Sequence, residues 1–320
     1  MKKIALEEHF LPSILTEQWE PTVAGMPRST YDLIKSRLGD TGSQRLDNMD
    51  AAGIDIAVLS VAGPGVQVVR DTAEATRLAR QANDDLAARI AVHPDRYVGF
   101  AHLALQDAEA AANELERCVR TLGFRGALIN GQTLGHYLDE ERFYPFWERA
   151  EALGAPVYLH PADPEKTYAA LEGQQQLRRP TWEWTVETAT HALRMVFNGT
   201  FERFPAAQLI LGHMGETLPY LLWRFDSRAL LYREPGDPRP LPSGYIHRNI
   251  PITISGVFAN EPLNCAIAAL GEDRVMFAAD YPFEDGVGAG RFLDGAAISD
   301  ATRLKVARSN AERLLRLPVR

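Results

Sequence analysis

Apolar strand-like runs alternate with helix-like segments along the whole of this 320-residue chain, and several of those runs end in acid or imidazole side chains. Glu7 and His9 lie at the end of the first, in MKKIALEEHF. His160 ends APVYLH, His213 closes the apolar run in QLILGHMGE, and Asp280 ends RVMFAAD. Metal-type ligands at the C-terminal ends of separate buried strands are the pattern of a (β/α)8 barrel, a TIM barrel of the α/β class, whose chemistry sits on that face.

The apolar runs predict strands at 4–9, 54–60, 97–103, 127–130, 156–160, 209–213, 252–255 and 274–280. Helical periodicity fills the intervals at 43–52, 71–92, 107–122, 139–153, 182–204, 216–232 and 261–270, with a closing amphipathic helix at 299–315. Ser43 is the expected N-cap of its helix, and Gly53, Gly123, Gly154 and Gly271 are expected stops. Continuous apolar strands joined by helices imply a parallel sheet covered on both faces and wound right-handedly. A single domain over 1–320 is expected, with long loops at 11–40, 161–180 and 235–244. The first two follow strands that carry ligand-type residues, so they should rise over the active-site face.

Composition narrows the functional classes. Hydrophobic residues make up 46% and charged residues 24%, ordinary proportions for a globular enzyme. A net charge of −8 argues against nucleic acid or an anionic membrane as a partner. Cys118 and Cys265 fall in helical patterns and are too few for a disulfide framework, which suits buried free thiols in a reducing cytoplasm. The apolar stretch from Ile4 to Leu6 is too short for a secretory signal, and no run reaches membrane-spanning length. A cytoplasmic protein is expected. The phosphate-binding GxGxxG and GxxxxGK[ST] patterns and the GxSxG elbow are missing, so nucleotide binding and serine hydrolysis lose their usual signals.

What remains is metal chemistry. In a strand, residues two apart share a face, so Glu7 and His9 point together while Glu8 points away from the barrel axis. Asp280 would close the last strand, which stands beside the first in a closed barrel. A buried carboxylate there needs a cation or donors nearby. Glu7, His9, His160 and Asp280 are therefore the expected ligands of one divalent metal ion. Their oxygen and nitrogen donors suit Zn2+ or Mn2+ without choosing between them. His213 is expected beside the metal, handling protons or polarising the substrate, with Glu216 fixing its tautomer. Arg224, in the helix after His213, either reaches a substrate carboxylate or is an ordinary ion-paired residue. Of the remaining histidines (His93, His102, His136, His191 and His247), only His102 lies near a strand end.

The segments ALEEHF, YLHP, LGHMGETLPYLLWRFDSR and DYPFE resemble the aromatic-acid decarboxylases of the amidohydrolase superfamily, those acting on γ-resorcylate, 2,3-dihydroxybenzoate and 5-carboxyvanillate. The resemblance spans nearly the whole chain. The segments after Asn130, His160 and Ser255 match no particular member, which leaves the substrate open. The resemblance implies non-oxidative decarboxylation of a small aromatic carboxylic acid. An ortho-hydroxybenzoate would bind the metal through its carboxylate and phenolate oxygens, and Asp280 would protonate the ring carbon that bears the carboxylate. Phe283 either walls the aromatic ring or packs its own loop. The resemblance also implies a homo-oligomer, a dimer or tetramer. Two other classes use the same residues: a metal-dependent hydrolase of a lactone, amide or ester, with Asp280 deprotonating a metal-bound water, and a barrel kept only for binding.

Overall fold

β1 (Lys3–Phe10), β2 (Ile54–Val61) and β3 (Tyr97–Gly99) form one parallel ladder. β4 (Ala127–Asn130), β5 (Val157–His160), β6 (Leu209–Leu211), β7 (Ile252–Thr253) and β8 (Val275–Met276) form another. Single parallel bridges, Ala101 to Ala127 and Glu8 to Tyr281, join the ladders at both edges. The eight strands thus close on themselves, and the expected barrel is what the chain forms. The computed structural model describes residues 1–318.

Side-chain alternation divides the core. Val58, Leu128, Tyr158 and Ile210 fill the barrel interior with Ile4, Leu6, Ile56, Phe100 and Met276, and Leu315 at the end of the last helix and Leu317 just beyond it join them. Their chain neighbours Leu59, Ile129, Leu159 and Leu211 face the helix layer instead. This is the period of two carried around a closed sheet. Helices begin at carboxylate and hydroxyl caps: Asp71 accepts the Glu74 N–H at 2.8 Å, and Asp107 accepts two first-turn N–H groups at 3.0 Å. They stop at Gly53 and Gly154, which take left-handed φ of +71° and +59°.

Several local expectations are corrected. Ser43 does not cap its helix. Gly42 holds that position, and the Asp40 carboxylate reaches over to accept the Gly42 and Arg45 N–H groups at 3.1 and 2.8 Å. The expected helix at 182–204 breaks at Gly199, whose φ of +81° separates Glu183–Phe197 from Thr200–Arg203. The segment 11–40 is not an open loop: it contains the helix Arg28–Gly39 and buries Leu15, Trp19, Ile34 and Leu38. Its prolines read as breakers, but Pro27 stands at the helix start, where a missing N–H costs nothing. The segment 161–180 holds single turns, and 235–244 runs into the helix Pro242–Asn249. Cys118 is buried but Cys265 only half-buried, both as free thiols. Among the described residues, no helix is long and apolar enough to cross a membrane.

Candidate metal centre

Between Ala5 and Glu8, β1 contains one residue more than its neighbour. Ala5 pairs with Ala57 and Glu8 with Leu59, so three steps along β1 match two along β2. This β-bulge reverses the side-chain parity. Ile4 and Leu6 fill the interior below it, whereas Glu7 and His9 turn into the barrel mouth above it. His9 then pairs with Ser60, whose Oγ lies 3.4 Å from His9 Nδ1. Glu8 points away from the axis as expected, but into a buried layer and not into water. It accepts the Ala279 N–H at 2.8 Å, and burial raises its pKa to about 8. Spending that N–H on a side chain is one reason β8 leaves its ladder after Met276, short of the strand expected to run to Asp280.

His160 ends β5, and Asp280 follows β8 in a left-handed conformation with φ of +58°. The His9 N–H donates to the Tyr281 carbonyl at 2.8 Å, which ties the two segments together. His9 Nε2 lies 3.3 Å from Asp280 Oδ1, and Glu7 Oε1 lies 3.5 Å from His160 Nε2 and 3.9 Å from His9 Nε2. One donor atom from each of Glu7, His9, His160 and Asp280 falls within 4.8 Å of all the others. Glu7 Oε1 and His9 Nε2 are buried with no hydrogen-bond partner. Leaving such atoms unsatisfied costs about 1–3 kcal/mol each. Two carboxylates and two imidazoles converging on unsatisfied donors fit a divalent cation such as Mn2+ or Zn2+.

His213 stands beside this cluster on an unusual turn. His213, Met214, Gly215, Glu216 and Thr217 all take positive φ, between +46° and +77°. Left-handed backbone costs a non-glycine residue roughly 1–2 kcal/mol and is rare in consecutive residues. Strain of this kind concentrates at functional sites. Here it swings the Glu216 carboxylate onto His213, with Nδ1 and Oε1 2.8 Å apart. His213 Nε2 faces Asp280 Oδ2 at 3.8 Å and Glu7 Oε1 at 3.9 Å. Burial opposes the imidazolium, yet the Glu7 and Glu216 charges and the Asp280 carboxylate hold the His213 pKa well above its ordinary value. Burial likewise opposes the Asp280 carboxylate, but His213 and His9 keep it well below the usual range. For Glu7, burial wins and its pKa rises. Burial, reinforced by charge on His9, pushes His160 well below the ordinary value and leaves it neutral, as a metal ligand must be.

The other expected residues fall in different places. Phe283 is partly exposed, and its ring meets His9 edge-on with centroids 5.6 Å apart. Arg224 lies exposed on the helix Leu218–Tyr232, away from the buried core. His102 is buried and accepts the Val66 N–H on Nε2 at 2.9 Å, and desolvation lowers its pKa to about 3. It serves the fold and does not join the cluster. Sequence reasoning missed Tyr158, whose hydroxyl donates to Glu7 Oε2. Its signal was available, because it lies two residues before His160 and so shares its face. Asn130, the cross-strand partner of His160, was also missed; it is fully buried with both amide atoms unpartnered. Over the mouth, Arg179 donates to the Pro21 carbonyl at 3.0 Å and, through Nε, to the Asp163 carboxylate at 3.2 Å. It thereby ties the segment after β1 to the segment after β5.

Compared with known proteins, the amidohydrolase family model matches residues 36–317. The γ-resorcylate decarboxylase of Polaromonas sp. strain JS666 is 42% identical over 325 residues, covering 98% of each chain. The structure of a 2,6-dihydroxybenzoate decarboxylase complexed with 2,6-dihydroxybenzoate superposes with a TM-score of 0.94 at 40% identity, covering 99% of this chain and 100% of that one. A dihydroxybenzoic acid decarboxylase from Polaromonas sp. JS666, with bound manganese and the inhibitor 2-nitroresorcinol, gives 0.92 at 40% identity, covering 99% and 97%.

Proposed function

This chain belongs to the amidohydrolase family, and from that premise we propose that Glu7, His9, His160 and Asp280 hold one divalent metal ion, Mn2+ or Zn2+, at which an ortho-hydroxybenzoate loses CO2. The observation that carries this reading is the convergence of Asp280 on Glu7 and His9, with Glu7 Oε1 and His9 Nε2 buried and unsatisfied between them. A bound cation supplies positive charge that anchors the substrate carboxylate and favours the ionised form of the neighbouring phenol.

The chain's own residues do the rest. Asp280 is ionised at rest, so it must first take up a proton, and the phenol of the incoming substrate is the source. It then delivers that proton to the ring carbon bearing the carboxylate. The carbon–carbon bond breaks, its electron pair restores the aromatic ring, and CO2 leaves. His213 is paired with Glu216 and faces Asp280, and the Glu7 and Glu216 charges raise its pKa against the cost of burial. It stabilises negative charge on the substrate and on Asp280 before the proton moves. Phe283, next to His9, forms one wall against the aromatic ring.

Arg224 is proposed as a counter-charge for the substrate carboxylate. It shares its helix with Tyr220, Trp223, Leu230, Leu231 and Tyr232, each more than half exposed. Apolar surface of this extent on one helix fits an interface between copies of the chain, and an exposed arginine beside it fits a contact made across that interface. A homo-oligomer, a dimer or tetramer, is proposed on this surface, and a cytoplasmic location on the two free cysteines. Trp223→Asp combined with Leu231→Asp is expected to yield monomers in sedimentation velocity while the wild type sediments as a dimer or larger. A monomeric wild type would overturn the interface.

The test of function is CO2 release from 2,6-dihydroxybenzoate and 2,3-dihydroxybenzoate by metal-loaded protein. Metal-dependent CO2 release is expected on at least one of them. Hydrolysis of small lactones with no CO2 from any hydroxybenzoate would favour the hydrolase instead. His160→Ala should lower bound metal to well under one equivalent by elemental analysis, and unchanged stoichiometry would take His160 out of the ligand set.

A further inference from the structure

Glu7 is held asymmetrically. Its Oε1 is the unpartnered atom that faces His9 and His160, while its Oε2 points back into the barrel and accepts the Tyr158 hydroxyl. Behind Tyr158 stands a short chain of hydroxyls. Tyr158 and Thr253 are 2.7 Å apart, the Thr253 and Ser255 hydroxyls are 3.2 Å apart, and Ser255 accepts the His213 N–H at 3.0 Å. Glu7, Tyr158, Thr253 and Ser255 are all fully buried. The backbone leaves them no slack: a Cβ on Gly212 would lie 2.7 Å from Glu7 Oε2 and 2.9 Å from both the Ser255 and Tyr158 hydroxyls.

A hydroxyl has one hydrogen to give. Tyr158 gives its own to Glu7, so the Thr253 hydroxyl must donate to Tyr158 from behind, and the Ser255 oxygen accepts the His213 backbone N–H. The carboxylate cannot rotate to present both oxygens to the mouth without breaking the Tyr158 bond and stranding a buried phenol. We propose that Tyr158 is a positioning residue that restricts Glu7 to a single ligand oxygen. This keeps coordination positions open for a substrate that arrives with two oxygens. The proposal rests on the reading that the four-residue cluster holds a divalent ion.

The experiment uses full-length protein stripped with chelator and titrated with Mn2+ by calorimetry, alongside thermal unfolding of the metal-free form. Partners that orient ligands typically contribute 10–100-fold in metal affinity. Tyr158→Phe is therefore expected to weaken Mn2+ binding by about 10–100-fold. The Mn2+ electron paramagnetic resonance spectrum should change, and KM for a hydroxybenzoate should rise more than kcat falls. A residue that merely fills the core would lower the metal-free melting temperature and leave Mn2+ affinity and spectrum alone. Mn2+ binding within twofold of wild type by folded Tyr158→Phe overturns the proposal. Should that variant not fold, Thr253→Val removes the support behind Tyr158 without touching Glu7, and unchanged Mn2+ affinity there overturns it equally. A wild type that binds no Mn2+ sinks the metal-site reading itself, a distinct result from an unaffected variant.

Discussion

Asp280→Asn is expected to lower turnover on a hydroxybenzoate by about 10²–10⁴-fold, the range for a group that transfers a proton in the transition state. Asparagine keeps the shape and one carbonyl oxygen, so it can still face His9 from the same left-handed position. What it cannot do is accept and return a proton. Bound metal measured on the same sample separates the two roles of this residue. Metal retained with activity lost identifies Asp280 as the proton carrier. Metal and activity lost together reduce it to a ligand, and near-wild-type turnover removes it from the mechanism.

Arg45→Ala is expected to cost about 3–5 kcal/mol of folding stability in denaturant titration, since it leaves several buried carbonyls unsatisfied at about 1–3 kcal/mol each. Arg45 is 1% exposed and donates to the carbonyls of His9, Asp40 and Arg37 at 2.5, 2.9 and 3.2 Å. Its guanidinium also lies 4.7 Å from the centre of the Tyr281 ring and helps to balance Glu8 in the same buried layer. Removing it leaves the His9, Asp40 and Arg37 carbonyls without their donor and takes the nearby positive charge from Glu8. Lysine should recover little, since a single ammonium cannot serve several carbonyls and a ring face together. A loss below about 1 kcal/mol would mean that water replaces the guanidinium without difficulty. Because Arg45 touches the His9 carbonyl and the Tyr281 ring, the surviving folded fraction should also hold metal less tightly.

The legible part of the site followed from periodicity. Glu7 and His9 share a face because strand side chains repeat every two residues, and His160 and Asp280 could be placed because each closes an apolar run. Glu216 could be joined to His213 because three residues bring a carboxylate back to an imidazole in a tight turn, although nothing local announced that the turn would be left-handed. The barrel itself was legible from two signals: strand and helix patterns alternate, which calls for a parallel sheet covered on both faces, and ligand-type residues close several separate strands, which favours the closed form.

Other features were decided across the chain. The bulge between Ala5 and Glu8 exists only as a mismatch with β2. Continued from Ile4 and Leu6 without it, the alternation would send Glu7 and His9 out to the helix layer and Glu8 into the mouth. Glu8 is buried because Arg45 and the Ala279 N–H, from distant segments, meet it there. Tyr158 reads as an ordinary strand residue until Glu7 arrives from another strand to accept its hydrogen. The sequence by itself determined which side chains alternate and where the strands end, since those depend on bonded neighbours alone. Which face each alternation presents, and which buried polar atoms find partners, depends on cross-strand register and long-range contact, and only the closed barrel decided them.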